Sequence, residues 1–380
     1  MEGIDLLRNC WLEIDLDNLK HNYNEIKNYV KPGVKLMAVV KANAYGHGII
    51  PCGKVLEESG ADILGVGSLQ DGIKLRKNGV KLPIVVFASN TVCEVAEYYS
   101  KYSLIPTILT FEQAKSISDM GKDKRISIFL KTDTGRGRLG VNAEEMAEFV
   151  KKVQELPNIS IEGIYSHMAD VNWADISSEY PNWQYNRFNK MVQELNNENI
   201  GIPFLQLANS SGLVAYPEFQ MKGVAPGGNL WGFSALSYRE GHPKLLNVLT
   251  SWKSKLVYVN EVIGGKFGEN NKAKVLEKPK KIGVMVGGLS DGIDHRQGTG
   301  GEVLIRGKRV KIASGISIEH SIVDLTDCPD AEIGDEVIIL GKQGNEEITL
   351  NDLCERWDRE PLEFLTSLSP ALERVFINKK

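Results

Sequence analysis

The chain has 380 residues, 42% of them hydrophobic and 25% charged, with a formal net charge of −4. That balance suits a globular protein of about two domains, or one large barrel with an appendage, and gives no general attraction to nucleic acid or acidic membranes. No uninterrupted apolar run is long enough to span a bilayer, and the opening MEGIDLLRNCWLEID lacks the basic and apolar regions of a secretory signal.

From about residue 35 to 230, short β-branched runs alternate with longer amphipathic segments. The runs Lys35–Val40, Asp62–Val66, Pro83–Phe87, Ile126–Leu130, Ile159–Ile164 and Phe204–Leu207 predict strands. Leu19–Tyr29, Ile50–Ser59, Ala143–Glu155 and Tyr185–Asn196 predict helices. Repeated strand–helix units predict an α/β protein with a parallel sheet, and their number fits a (β/α)8 barrel better than an open sheet. After about residue 245, helical periodicity becomes scarce and β-rich runs such as Lys255–Val259, Ile282–Val286 and Val337–Leu340 take over. The expected division is a barrel over residues 12–244 and a C-terminal, mainly β domain over 245–380, with residues 1–11 joined to it. The five cysteines (Cys10, Cys52, Cys93, Cys328, Cys354) are widely spaced and never form a Cys-x-x-Cys pair. They read as thiols of a reducing cytoplasm, with no disulfide and no metal site expected.

Lys41 follows the run Leu36–Val40, which puts it at the C-terminal end of a strand, where barrels of this kind place their chemistry. A lysine there is suited to act as a nucleophile toward a carbonyl, although on its own it would more readily be a lysine that snorkels to solvent. Its context is more specific. Ala38-Val39-Val40-Lys41-Ala42-Asn43-Ala44-Tyr45-Gly46-His47-Gly48 resembles the signature around the lysine that carries pyridoxal 5'-phosphate (PLP) in the alanine racemase family. Trp11–Leu16 resembles that family's opening strand. Lys131-Thr132-Asp133-Thr134-Gly135-Arg136-Gly137-Arg138-Leu139-Gly140 matches its Lys-x-Asp-Thr-Gly-x-Gly-Arg-x-Gly segment, and Glu162–His167 and Ala208-Asn209-Ser210 follow in the same order.

The resemblance implies a PLP-binding barrel joined to a β domain, and a homodimer whose active sites borrow residues from the partner. It implies that Lys41 carries the cofactor and that Tyr45, Asn209, Ser210, Gly227 and Gly228 lie around the phosphate. His167 would lie against or beside the pyridine ring, although a histidine at a strand end is as often structural. Arg138 would meet the cofactor phenolate and the substrate carboxylate, and Lys131 stands at a position that is carbamylated in many members. Four departures accompany these matches. Ala225 stands where the family has an arginine for the ring nitrogen, and Phe267, in Gly264–Gly268, stands where the second-base tyrosine belongs. Pro370 matches the place of a phosphate-bonding tyrosine. Ile318-Glu319-His320 replaces a Met-Asp loop that reaches the partner's substrate pocket, and His320 is a candidate second base, though it could equally point away within a strand.

The leading expectation is therefore a PLP-dependent amino-acid racemase or epimerase, catalysed by Lys41, His320 and Arg138, with Arg138, Ile318 and Glu319 at the substrate. The departures imply weak activity on alanine itself. A one-base lyase, by retro-aldol cleavage or decarboxylation, is the alternative, and a non-catalytic PLP-binding protein is a third.

Overall fold

The computed structural model describes residues 7–87, 91–121, 125–171, 179–233, 241–263, 266–267, 274–275, 279–296 and 300–378. The chain divides into two compact units, one of residues 18–246 and one of residues 1–17 with 247–380.

In the first unit the strands Lys35–Val39, Ile63–Val66, Ile84–Val86, Ile105–Ile108, Ile126–Asp133, Ile159–Tyr165, Phe204–Asn209 and Gly223–Ala225 pair in parallel. Ile105–Ile108 pairs with Ile126–Asp133, and Gly223–Ala225 pairs with Lys35–Val39, so the sheet closes into a barrel. The registers are short, for example Leu64↔Ile84, Gly65↔Val85 and Val66↔Val86. Most residues of these strands are apolar and buried, as expected when helices cover a barrel outside and side chains fill it inside. The interior cluster contains Met37, Ile63, Val85, Phe129, Tyr165 and Phe204, with Ala225 packed against it. Side-chain caps start several of the intervening helices: Ser68 accepts from Asp71 N at 3.1 Å before Leu69–Lys77, and Thr110 accepts from Gln113 N at 3.3 Å before Phe111–Met120.

Glycine makes room for the barrel's large rings. A Cβ on Gly163 would lie 2.4 Å from Phe129 Cε1, and one on Gly223 would lie 2.2 Å from Phe204 Cε2. Gly163→Ala should therefore cost about 1–3 kcal/mol through overpacking, read as a lower urea midpoint. An unchanged midpoint would show that Phe129 can move aside.

In the second unit, the described strands form a nine-stranded sheet. Cys10–Asp15 runs antiparallel to Leu249–Val262, with Leu12 opposite Trp252, and parallel to Glu373–Ile377, with Ile14 opposite Phe376. This corrects the expected boundary: residues 12–15 look like the first strand of a barrel but belong to the β sheet, and the first barrel strand is Lys35–Val39. Local patterning does not reveal this, because the partners lie more than two hundred residues away along the chain. Trp252, Trp357 and Phe364 pack edge-on and tilted in the core of this unit, with Trp357 and Phe364 centroids 5.1 Å apart. The tail holds two helices, Leu350–Trp357 and Pro361–Ser367, before its last strand returns to the sheet.

Candidate cofactor and active site

Lys41 begins the segment that leaves the first barrel strand. Ala42, Asn43, Ala44 and Tyr45 all have φ between 51° and 55°, a left-handed turn built without glycine. Such geometry costs about 1–2 kcal/mol per L-residue, so it persists only where its surroundings fix it. Here Gly46 N donates to Ala42 O at 3.0 Å, Gly48 N donates to Asn43 O at 3.0 Å, and the Asn43 side chain accepts from Ile49 N at 2.9 Å. Gly46 and Gly48, themselves at φ 84° and 100°, return the chain to the helix Ile49–Glu58. The turn places Lys41 Nζ 5.8 Å from the centroid of the Tyr45 ring.

The Tyr45 ring is buried against Trp231, with centroids 5.7 Å apart, and His47 stacks on the same indole at 4.7 Å. A Cβ on Gly227 would lie 2.4 Å from the Tyr45 hydroxyl, so only glycine lets the two approach. Ser210 Oγ accepts from Gly227 N at 2.8 Å and from Asn229 N at 3.3 Å. Tyr45 Oη, Ser210 Oγ and the Gly227–Gly228 backbone are thereby gathered at one place. The Asn209 side-chain oxygen caps the helix Ser210–Ala215, accepting from Gly212 N at 3.0 Å, and so positions Ser210.

A second cluster forms where Ile126–Asp133 and Ile159–Tyr165 end. Lys131, Arg136, Arg138 and His167 line one small cavity. Lys131 is 6% exposed and its Nζ sits 4.5 Å from the Tyr165 ring centroid. Burial, then the neighbouring Arg138, pushes its ammonium down to about 8. His167 is pushed down to about 3 by burial, with the charges of Lys131, Arg136, Lys41 and Arg138 acting in the same direction, so its imidazole is neutral at ordinary pH. Lys41 is also lowered, by desolvation first and then by Arg138 and Arg136. Lys41 thus lies within the field of this cluster and beside the tyrosine of the first one.

Two features of the second cluster are illegible in the sequence. Gln184, buried in the helix Glu179–Asn197, donates to Thr134 Oγ1 at 3.1 Å and accepts from Ala169 N at 2.8 Å. Thr134 in turn shares a 2.8 Å hydrogen bond with Ser166 Oγ, so the ends of the two strands are tied together beside His167. Arg136 is the second feature; its Nη1 donates to Met168 O at 3.1 Å and Ala169 O at 3.2 Å. No sequence signal singled out Gln184, whereas Arg136 stands at a position that the matched motif leaves open.

The remaining expected residues lie in the second unit. Ile318, Glu319 and His320 are all exposed, Ile318 at 69%, at a reversal between the strands Lys308–Ile316 and His320–Asp324. The reversal is pinned by backbone: Leu289 N donates to Ser317 O, Ser290 N to Ile318 O and Gly287 N to Glu319 O, at 2.8–2.9 Å. Gly288 is required there, since a Cβ would lie 2.4 Å from Ser317 O. Within Gly264–Gly268, Lys266–Phe267 is a strand paired with Lys274–Val275, and the Phe267 side chain lies outside the described residues.

Comparison with known proteins fits this geometry. The family model "Alanine racemase, N-terminal domain" matches residues 14–235, and "Alanine racemase, C-terminal domain" matches residues 249–376. The chain belongs to the alanine racemase family. An alanine racemase of Halothermothrix orenii is 35% identical over 376 residues, covering 98% of each chain. One of Methanococcus maripaludis is 32% identical over 378 residues, covering 97% of this chain and 98% of its own. The solved alanine racemase of Clostridium difficile 630 superposes with a TM-score of 0.89 at 28% identity, covering 99% of this chain and 97% of the other.

Enzymes of the alanine racemase family use PLP, and the residues present fit that cofactor. Tyr45 is a buried residue whose Oη makes no hydrogen bond among the described residues, and a side chain at Gly227 would collide with that hydroxyl. A phosphate would meet Tyr45, Ser210 and the N–H groups near Gly227 and Gly228 there, and Lys41 would supply the amine for the aldehyde. The position expected to face the ring nitrogen offers no charge, because Ala225 packs against the barrel's apolar core.

Proposed function

We propose that this chain is a PLP-dependent racemase or epimerase of an α-amino acid, with Lys41 moving the Cα proton on one face. The observation that carries this reading is the meeting of a desolvated lysine with a phosphate cradle on one side and two arginines on the other. When bound, PLP withdraws electrons from Cα and makes its proton acidic. Lys41, lowered by burial and by Arg138 and Arg136, is the more easily freed of its proton and so able to take one at Cα. The Arg138 guanidinium has no partner among the described residues and suits a substrate carboxylate. His167 acts as a neutral surface beside the cofactor rather than as an acid.

The opposite face is assigned to a second copy of the chain. Ile318, Glu319 and His320 are exposed on a backbone-pinned loop, which suits a segment presented to a partner in a homodimer, and His320 is the proposed second proton carrier. In that assembly His320→Ala should abolish exchange at the face it serves and spare the other, seen as unequal loss with the L- and D-enantiomers. Equal loss, or none, removes it as the second base.

Similarity to alanine racemases over 98% of the chain weighs against treating the sequence departures as loss of the family's reaction, and alanine is the first substrate to test. The test incubates holoenzyme with L- or D-amino acids in heavy water and follows enantiomer ratio, Cα deuterium and product mass. Racemisation with deuterium incorporation supports the reading. The apolar setting of Ala225 favours a second one, a one-base lyase, and carbon loss without inversion would establish that instead.

Lys131 gives a separate prediction. An ammonium lowered to about 8 is substantially neutral at pH 8, and only the neutral amine takes up CO2. Intact mass in bicarbonate at pH 8 should gain one CO2, less so as pH falls, and not at all in Lys131→Gln. A gain that persists in that variant would place the modification elsewhere.

A further inference from the structure

Arg136 has more guanidinium capacity than the described residues use. Its Nη1 is held by the carbonyls of Met168 and Ala169, while Nε and Nη2 have no partner among the described residues. Arg138, on the same loop and lining the same cavity, has no side-chain partner among the described residues either. The only acid lining that cavity is Asp133, and its carboxylate is already committed: it accepts from Gly135 N and Arg136 N at 2.8 Å each and from Arg138 N at 3.2 Å. The loop carrying the arginines is also braced. Tyr180 Oη donates to Gly135 O at 2.7 Å, and a Cβ on Gly135 would lie 2.3 Å from the Trp183 ring. Two forked cations are thus presented by a held loop, without an uncommitted carboxylate side chain among the described residues to share them.

An amino acid with an uncharged side chain brings one carboxylate, which a single arginine satisfies in a bidentate pair. From this surplus we infer that Arg136 is a specificity-determining residue that binds a second anionic group on the substrate, making dicarboxylic amino acids the preferred class. The inference rests on the racemase reading of the same site. Arg138 takes the α-carboxylate and Arg136 the side-chain carboxylate, each as a charge-assisted pair.

The test titrates holoenzyme with propionate and with succinate, reading cofactor absorbance, after bicarbonate has been removed so that no carbamate on Lys131 competes. It is paired with kcat/KM for alanine, aspartate and glutamate. Wild type should bind succinate about tenfold or more tighter than propionate. Arg136→Gln should erase that ratio and lower the aspartate or glutamate preference over alanine by a similar factor, with Arg136→Lys retaining part of both. The inference is overturned if wild type shows no such preference, or if Arg136→Gln weakens both ligands equally, as a general field or structural role would. If wild type exchanges alanine but ignores the second carboxylate, only this inference falls. If it binds neither ligand and exchanges no amino acid, the racemase reading falls with it.

Discussion

Replacing Lys41 with alanine should lower turnover by about 10^4-fold or more, because in the proposed reaction the same amine both holds the cofactor and moves the proton. The cause is local. Lys41 projects from the end of a barrel strand on a left-handed turn whose hydrogen bonds run through Gly46, Gly48 and Asn43. Truncating its side chain leaves those backbone bonds in place, so the variant should fold normally, with circular dichroism and urea midpoint close to wild type. It should also fail to retain PLP through dialysis. Activity within tenfold of wild type would mean that another amine performs both tasks. Loss of fold would mean instead that the lysine chiefly supports structure.

The second large effect concerns the other unit. Asp291 is fully buried and accepts both a paired contact from the Arg8 guanidinium and the Gly288 N–H at 3.0 Å. Its turn holds residues 287–290, which pin the Ile318–His320 loop. Asp291→Ala leaves a cation and an N–H unpaired. The cost should be about 3 kcal/mol, at the low end for a broken buried pair because Arg8 is 34% exposed. Amide exchange in the strand His320–Asp324 should then be about 100-fold faster. A change below about 1 kcal/mol would show that solvent replaces Asp291 at little cost.

Much of the barrel is legible in the sequence because buried parallel strands read as largely apolar runs, as in Lys35–Val39 and Ile126–Leu130. Two strands escape that rule. Ile105–Ile108 contains Pro106, and Gly223–Ala225 is three residues long, with a glycine required by the Phe204 ring. Cys10–Asp15 shows a strand correctly but not its sheet, since register with Trp252 and Phe376 is a long-range fact. At the candidate site, Lys41, Tyr45, Lys131, Arg138, His167, Ser210 and Gly227 are singled out in the sequence by the family resemblance rather than by the residues alone. Asn209 is legible only as a neighbour, and its capping role emerges from geometry. Gln184 is invisible in advance, because a polar residue in an amphipathic helix gives no sign of being the buried tie between Thr134 and Ala169.

The most direct test of the account is to locate the cofactor on the chain. Two lysines at this site have lowered basicity, Lys41 and Lys131, so chemistry alone leaves both as candidates for the aldehyde. Holoenzyme reduced with borohydride and digested for peptide mass mapping should carry the cofactor on Lys41, within the segment Ala38–Gly48. Cofactor found on Lys131, or on no lysine of this site, would contradict it.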